Sequence, residues 1–209
     1  MNKNQTKKII SIVIVSLVLA LVLVTIILAI VPKKLENPVA QGYTSITVYS
    51  GDKDQTYFYT PNATDADAIK ENETFRKIES LHADSLKDNV LSALFQGTGS
   101  FDVQVTKTNY PNALTEAQDQ SDNVLVFTYA TGEQTLMING KEYKDTSSFS
   151  SSVVTFDMVV MPIGDSNSFE ECTIYLADRT NKNSSYQVKF LAHQSDLADY
   201  ISNLTFPIV

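Results

Sequence analysis

The sequence predicts an α+β domain, with a mainly antiparallel sheet and two or three covering helices, preceded by one N-terminal transmembrane helix. Three observations carry this reading. Residues 9–31 hold no charged side chain. Downstream, short β-branched and aromatic runs alternate with period two between turn residues. Interspersed with them are segments whose apolar residues repeat at helical spacing behind N-cap signals.

The only polar residues in 9–31 are Ser11, Ser16 and Thr25, and their hydroxyls can bond back to helix carbonyls in lipid. At 1.5 Å per residue the stretch is roughly 34 Å long, against a hydrocarbon core of about 30 Å. Pro32 forbids simple continuation. A cleaved signal peptide is the competing reading, but its apolar core would be about 7–15 residues long and followed by small residues. Here the core is longer and runs into Val31-Pro32-Lys33-Lys34, and the lone cysteine, Cys172, is far from it. A retained signal-anchor is the better reading. Lys3, Lys7 and Lys8 precede the span without an acid, while Lys33 and Lys34 are followed closely by Glu36. This bias predicts a cytoplasmic N-terminus (1–8), a transmembrane helix (9–31), a stalk (32–42) and an extracytoplasmic domain (43–209) at the cell membrane.

Three of the 16 Lys+Arg precede the span and none of the 24 acids does, so the rest of the chain carries 11 more acids than bases. Phosphate neutralisation needs a basic patch, so nucleic acid is excluded as the main partner. One cysteine allows no internal disulfide, which a domain of this size does not require.

Along the domain, Tyr43 to Ser50 and Gln55 to Thr60 read as a hairpin about the turn residues Gly51 to Asp54. Thr64-x-x-Asp67 resembles a capping box opening a helix through His82, with Phe75, Ile78, Leu81 and His82 on one face. Ser85-x-x-Asp88 reads as a second cap, before a stripe of Leu86, Val90, Leu91, Leu94 and Phe95 ended by Gly97. Phe101, Val103 and Val105 alternate as a strand. Residues 109–123 read as a long surface loop or a subdomain boundary. Val124 to Ala130, Gln134 to Ile138 and Lys141 to Tyr143 are strands punctuated by Thr131-Gly132 and Asn139-Gly140, the latter a hairpin signal. After a serine-rich loop (146–152), Val153 to Met161 is apolar on both faces and reads as central. Cys172 to Ala177 and Ser185 to Ala192 form a last hairpin, and Ser195 is expected to cap a final helix with Leu197, Ile201 and Leu204 on one face. Residues 45–69 and 172–201 both run strand, turn, strand, helix.

Candidate chemistry is sparse. His82 and His193 lie far apart with no H-x-x-H or H-x-x-E spacing, and structural roles suit both; the helix C-terminus is expected to favour the His82 cation. Cys172 follows Glu170-Glu171, whose charges raise a thiol pKa, so a buried small hydrophobe is the better reading. Serine abounds without a G-x-S-x-G elbow or an S-x-x-K pair supported by partner motifs. The acid pairs Asp52/Asp54, Asp65/Asp67 and Glu170/Glu171 suit solvated turns or helix starts, and Asp178 to Asn183 fails the EF-hand pattern at its third and fifth positions. Gly97-Thr-Gly99-Ser100 follows a helix and precedes a strand, the reverse of a phosphate-loop context. Tyr57 and Tyr59 are expected on the same face of a strand, with Phe58 opposite, and are the candidate interaction surface, since tyrosine is favoured at interfaces.

The expected function is a membrane-anchored extracytoplasmic binding or interaction module, non-catalytic, engaging an envelope or membrane protein and using no cofactor or metal. The alternative is an envelope hydrolase whose carboxylates converge only in three dimensions.

Overall fold

The structure, a computed structural model, describes residues 3–30, 32–34, 37–89, 103–130, 133–138, 140–146 and 152–206, without the side chains of 3–12, 27–34 and 88–89. The chain forms two compact units, one comprising 1–34 and 87–100 and the other 35–86 and 101–209.

In the first unit α1 runs from Lys3 to Ile30. Its described apolar side chains, Val13 to Ile26, are all well exposed, from 47% at Val22 to 65% at Leu21. Among the described residues no helix is long and apolar enough to cross a membrane. A short antiparallel pair, Pro32–Lys34 with Lys87–Asn89, completes the described part of this unit.

The second unit is α+β, built on a seven-stranded antiparallel sheet. Its strands are β1 (Ser45–Ser50), β2 (Lys53–Phe58), β3 (Gln104–Tyr110), β4 (Asn123–Thr128), β5 (Met158–Pro162), β6 (Glu170–Ala177) and β7 (Ser184–Ala192). They lie in the order β2-β1-β4-β5-β6-β7-β3. All five residues of β5 are buried, as a run apolar on both faces at the sheet centre should be. Gly51, at φ 58°, opens the two-residue turn between β1 and β2, a conformation glycine adopts without steric cost.

Alternation of side chains gives the sheet two different faces. On one, Ile46, Val48, Leu125, Phe127, Val159, Met161, Ile174, Leu176 and Val188 form the main core. Two helices cover it: α2 (Ala66–Ser85), through Phe75, Ile78 and His82, and α4 (Ser195–Ser202), through Leu197, Ala198 and Ile201. On the other face a third helix, α3 (Ala113–Gln118), lays Ala113 and Ala117 against the side chains of Val126, Val160 and Tyr175. This segment, expected as a surface loop or a subdomain boundary, is helical. Asn112 supplies a cap, its Oδ1 accepting from Leu114 N–H at 3.0 Å, and two alanines permit close approach. The stripe is too short for helical periodicity to register.

Other boundaries differ for identifiable reasons. Asp65, not Thr64, caps α2, its carboxylate accepting from the N–H groups of Asp67 and Ala68; a charged acceptor is favoured at the positive end of a helix. Ser85 ends α2 instead of starting a new helix, and its hydroxyl donates to the His82 carbonyl. The expected stripe at 90–95, the 97–100 segment and Phe101 lie outside the described residues, as do Thr131-Gly132, Asn139 and most of the serine-rich loop. Ser195 is the first residue of α4 and Gln194 occupies the cap without a side-chain bond to it.

Residues 37–42, the described end of the expected stalk, lie on the core: Val39 is 2% exposed and the Tyr129 hydroxyl donates to the Ala40 carbonyl at 2.7 Å. The two hairpin–helix sequences that stood out along the chain occupy matching places. β1-β2 followed by α2 and β6-β7 followed by α4 flank the central β4-β5 pair, with both helices on the same face.

Candidate functional site

The N-terminal half of α2 overhangs the β2 edge of the sheet and leaves a groove of about 620 Å³ beneath it, within the 300–1,000 Å³ usual for ligand sites. Gln55 and Tyr57 of β2 line it, together with Asn203, Leu204 and Thr205 just after α4. From α2 come Asp67, Lys70, Glu71 and Thr74, spaced i, i+3, i+4, i+7 so that all four share one helix face. The adjoining stripe, Phe75, Ile78 and His82, is buried in the core.

Tyr57 is 5% exposed and its hydroxyl donates to Gln55 Oε1 at 3.1 Å. Burial raises its pKa, with smaller contributions from Tyr200 and Glu71. Tyr59 lies one residue beyond the end of β2 and is 39% exposed. Its ring packs on Phe75 at 5.7 Å between centroids, and Arg76 Nη2 donates to its hydroxyl at 2.6 Å. Between the two tyrosines, Phe58 is 54% exposed. Tyr57 lines the groove, while Tyr59, partly exposed, packs on the buried Phe75 and contacts Arg76. The α2 residues of the groove carry no sequence signal beyond ordinary helix-surface polarity, because only the fold brings them together along one groove.

The histidines have structural surroundings. His82 is 2% exposed, its ring 5.7 Å from that of Phe127. Nε2 lies 3.2 Å from Asn37 Oδ1, which also accepts from Val39 N–H at 3.0 Å; the imidazole is therefore the donor. Nδ1 has no hydrogen-bond partner among the described residues. Burial lowers the pKa to about 4, opposite to the expected effect of the helix end. The magnitudes explain this: that displacement corresponds to about 3 kcal/mol, whereas a helix terminus supplies about 0.3–1 kcal/mol. His193 contacts Ser195 Oγ through Nε2 at 3.0 Å, and its backbone N–H donates to the Ser85 carbonyl at 2.9 Å.

Cys172 is partly buried, and burial, opposed by a backbone bond at Ala192, pushes its thiol up to about 12. The acid pairs are dispersed: Asp65 caps α2, Glu171 pairs with Lys189 at 2.5 Å, and Asp178 Oδ1 accepts from Thr180 N–H at 2.7 Å in its own turn. Among the described residues no group of three His, Cys, Asp or Glu side chains is arranged to hold a metal.

A second groove, about 430 Å³, lies where Asp122, Asp165, Glu170 and Glu171 approach Cys172 and Gln194. The Gln194 amide inside it is already engaged, accepting from Gly164 N–H and donating toward Met161 Sδ. The larger groove at β2 is the better candidate because it adjoins the sheet edge. No protein-family model matches the chain, and no curated protein or solved structure matches it either.

Proposed function

We propose that this chain is a membrane-anchored, extracytoplasmic binding module, non-catalytic, whose α2/β2 groove engages an envelope or membrane protein. The observation that carries the binding part is the groove itself, an open cleft of about 620 Å³ near the contact of Tyr59 with Arg76. Such mixed polar and aromatic surfaces are typical of recognition sites. The anchoring part is supported by the uncharged run 9–31 and by the exposure of every described apolar side chain along α1. A continuous apolar helix surface of that kind is costly in water and at home in lipid. The basic residues before the run favour a cytoplasmic N-terminus.

The test is affinity purification of the tagged full-length chain from its own membranes in mild detergent. A near-stoichiometric partner that disappears when 42–209 is deleted is the expected result. Recovery of the chain alone counts against the reading.

A hydrolase is the second reading, favoured by one observation: Asp67 and Glu71 line the same groove one helical turn apart. It requires that the purified chain turn over a glycoside or ester substrate and that Glu71→Gln abolish the turnover.

A further inference from the structure

The two edges of the sheet are built differently. At one, β3 pairs with β7 through a register broken by a bulge between Ser184 and Tyr186, and Lys107 reaches Asp145 of a neighbouring strand at 3.3 Å. Bulged edges of this kind resist further pairing. At the other, β2 pairs with β1 over six consecutive residues without a shift, contains no proline, and ends on the exposed Phe58.

The hydrogen-bond alternation shows what that edge presents. Gly51 N–H donates to the Asp122 carbonyl, and Tyr59 N–H to the Thr44 carbonyl. With the observed registers, Lys53, Gln55 and Tyr57 bond inward to β1, so Asp54, Thr56 and Phe58 direct their N–H and C=O groups away from the sheet. Among the described residues no strand receives them. An added strand would place alternate side chains on opposite faces. Those opposite Asp54, Thr56 and Phe58 share the Phe58 face; those opposite Gln55 and Tyr57 enter the groove beneath α2.

We infer that β2 is a strand-addition site for an extended peptide of a partner protein, bearing lysine or arginine at the positions that enter the groove. The groove wall carries Asp67 and Glu71 against the single cation Lys70, and the chain beyond the span has a surplus of 11 acids; both favour a cationic side chain there. Main-chain bonds supply affinity in this mode and alternate side chains supply selectivity. The inference rests on the binding-module reading and names the partner class for its groove.

The experiment titrates the full chain in detergent micelles with a capped peptide, Thr-Lys-Val-Lys-Val-Lys-Thr, by calorimetry. Binding is expected to weaken at least tenfold when the peptide lysines become glutamates, at least tenfold when its alternate amides facing β2 are N-methylated, and severalfold for the D67N/E71Q chain. Thr56→Pro removes an outward N–H, tolerated at an edge, and is expected to weaken binding at least tenfold while the far-UV spectrum stays that of the folded chain, the melt falling only slightly through loss of the 2.8 Å Thr47–Thr56 hydroxyl contact. The N-methylated peptide tests the same bond with the chain intact, should T56P fail to fold. Equal affinity for methylated and unmethylated peptides overturns the inference. A dimer seen by sedimentation that T56P dissolves, without peptide binding, assigns the edge to a second copy and also overturns it. Failure of the peptide while a 42–209-dependent partner still co-purifies sinks strand addition and leaves the binding module standing.

Discussion

His82 and Asn37, 45 positions apart, are joined by a 3.2 Å hydrogen bond between Nε2 and Oδ1, and this bond ties the segment before β1 to the inner face of α2. Asn37 Oδ1 also holds Val39 N–H, so one amide orients both the helix and the strand approach. Nε2 can donate in either protonation state, and it is burial, with no hydrogen-bond partner for Nδ1 among the described residues, that keeps the imidazole neutral.

Acid should therefore weaken the fold through this residue. The folded pKa is about 4 and the unfolded value about 6.5, so between these values the unfolded chain binds a proton that the folded chain refuses. Stability falls as pH drops from about 6.5 to about 4 and levels below it, a loss of about 3 kcal/mol from this group. His82→Gln, whose amide nitrogen can replace Nε2, should flatten the thermal-melt profile over that window relative to wild type. Parallel profiles for the two chains would refute the assignment.

Phe127, fully buried between the rings of Tyr43 and His82, should be among the costliest core positions. Phe127→Ala is expected to lose about 3–5 kcal/mol in urea unfolding. Arg76→Ala, at the exposed Tyr59 contact, should lose no more than about 1 kcal/mol.

The α3 cap offers a sharper local test. Asn112→Ala should cost about 1 kcal/mol, and Ala117→Leu about 1–3 kcal/mol by overpacking against the opposite face of the sheet. If α3 contributes nothing, neither variant will shift the denaturation midpoint.

Cys172, with its thiol pushed up to about 12, should be nearly inert in the folded chain. A disulfide reagent at pH 7.5 is expected to modify it at least tenfold more slowly than in urea. Equal rates would mean that the side chain is neither buried nor neutral.

The proposed topology predicts that a cysteine placed at exposed Lys77, in a Cys172→Ala background, reacts with a membrane-impermeant maleimide added to intact cells. Labelling only after lysis would put the domain on the other side.

Strands were the most legible part of this fold. The β1-β2 turn and the β6-β7 hairpin follow from alternation and turn residues, which are local properties, and β5 from an apolar run, although of the expected strand Val153 to Met161 only the part from Met158 onward joins the large sheet. Helix starts were less so: Thr64 and Asp65 are both acceptable caps, and only backbone geometry chooses between them. α3 escaped because six residues hold too little periodicity. The groove escaped more completely, since Asp67, Lys70 and Glu71 read as ordinary helix surface until the overhang past β2 is known. His82 misled for a related reason: a helix-end position is visible in sequence, and its depth of burial is not.

The placement of β3 has a consequence for how the domain is made. Thr108 donates to the Ser184 carbonyl across 76 positions, and among the described residues β3 has no other neighbour in the sheet than β7. A chain emerging N-terminus first completes β1, β2 and α2 by local contacts, but must carry β3 unpaired until nearly everything else has been synthesised. Non-local pairings of this kind slow folding and expose a strand to misassociation. The polar run Thr106-Lys107-Thr108 is suited to that wait, because it keeps the orphan strand soluble until its partner arrives.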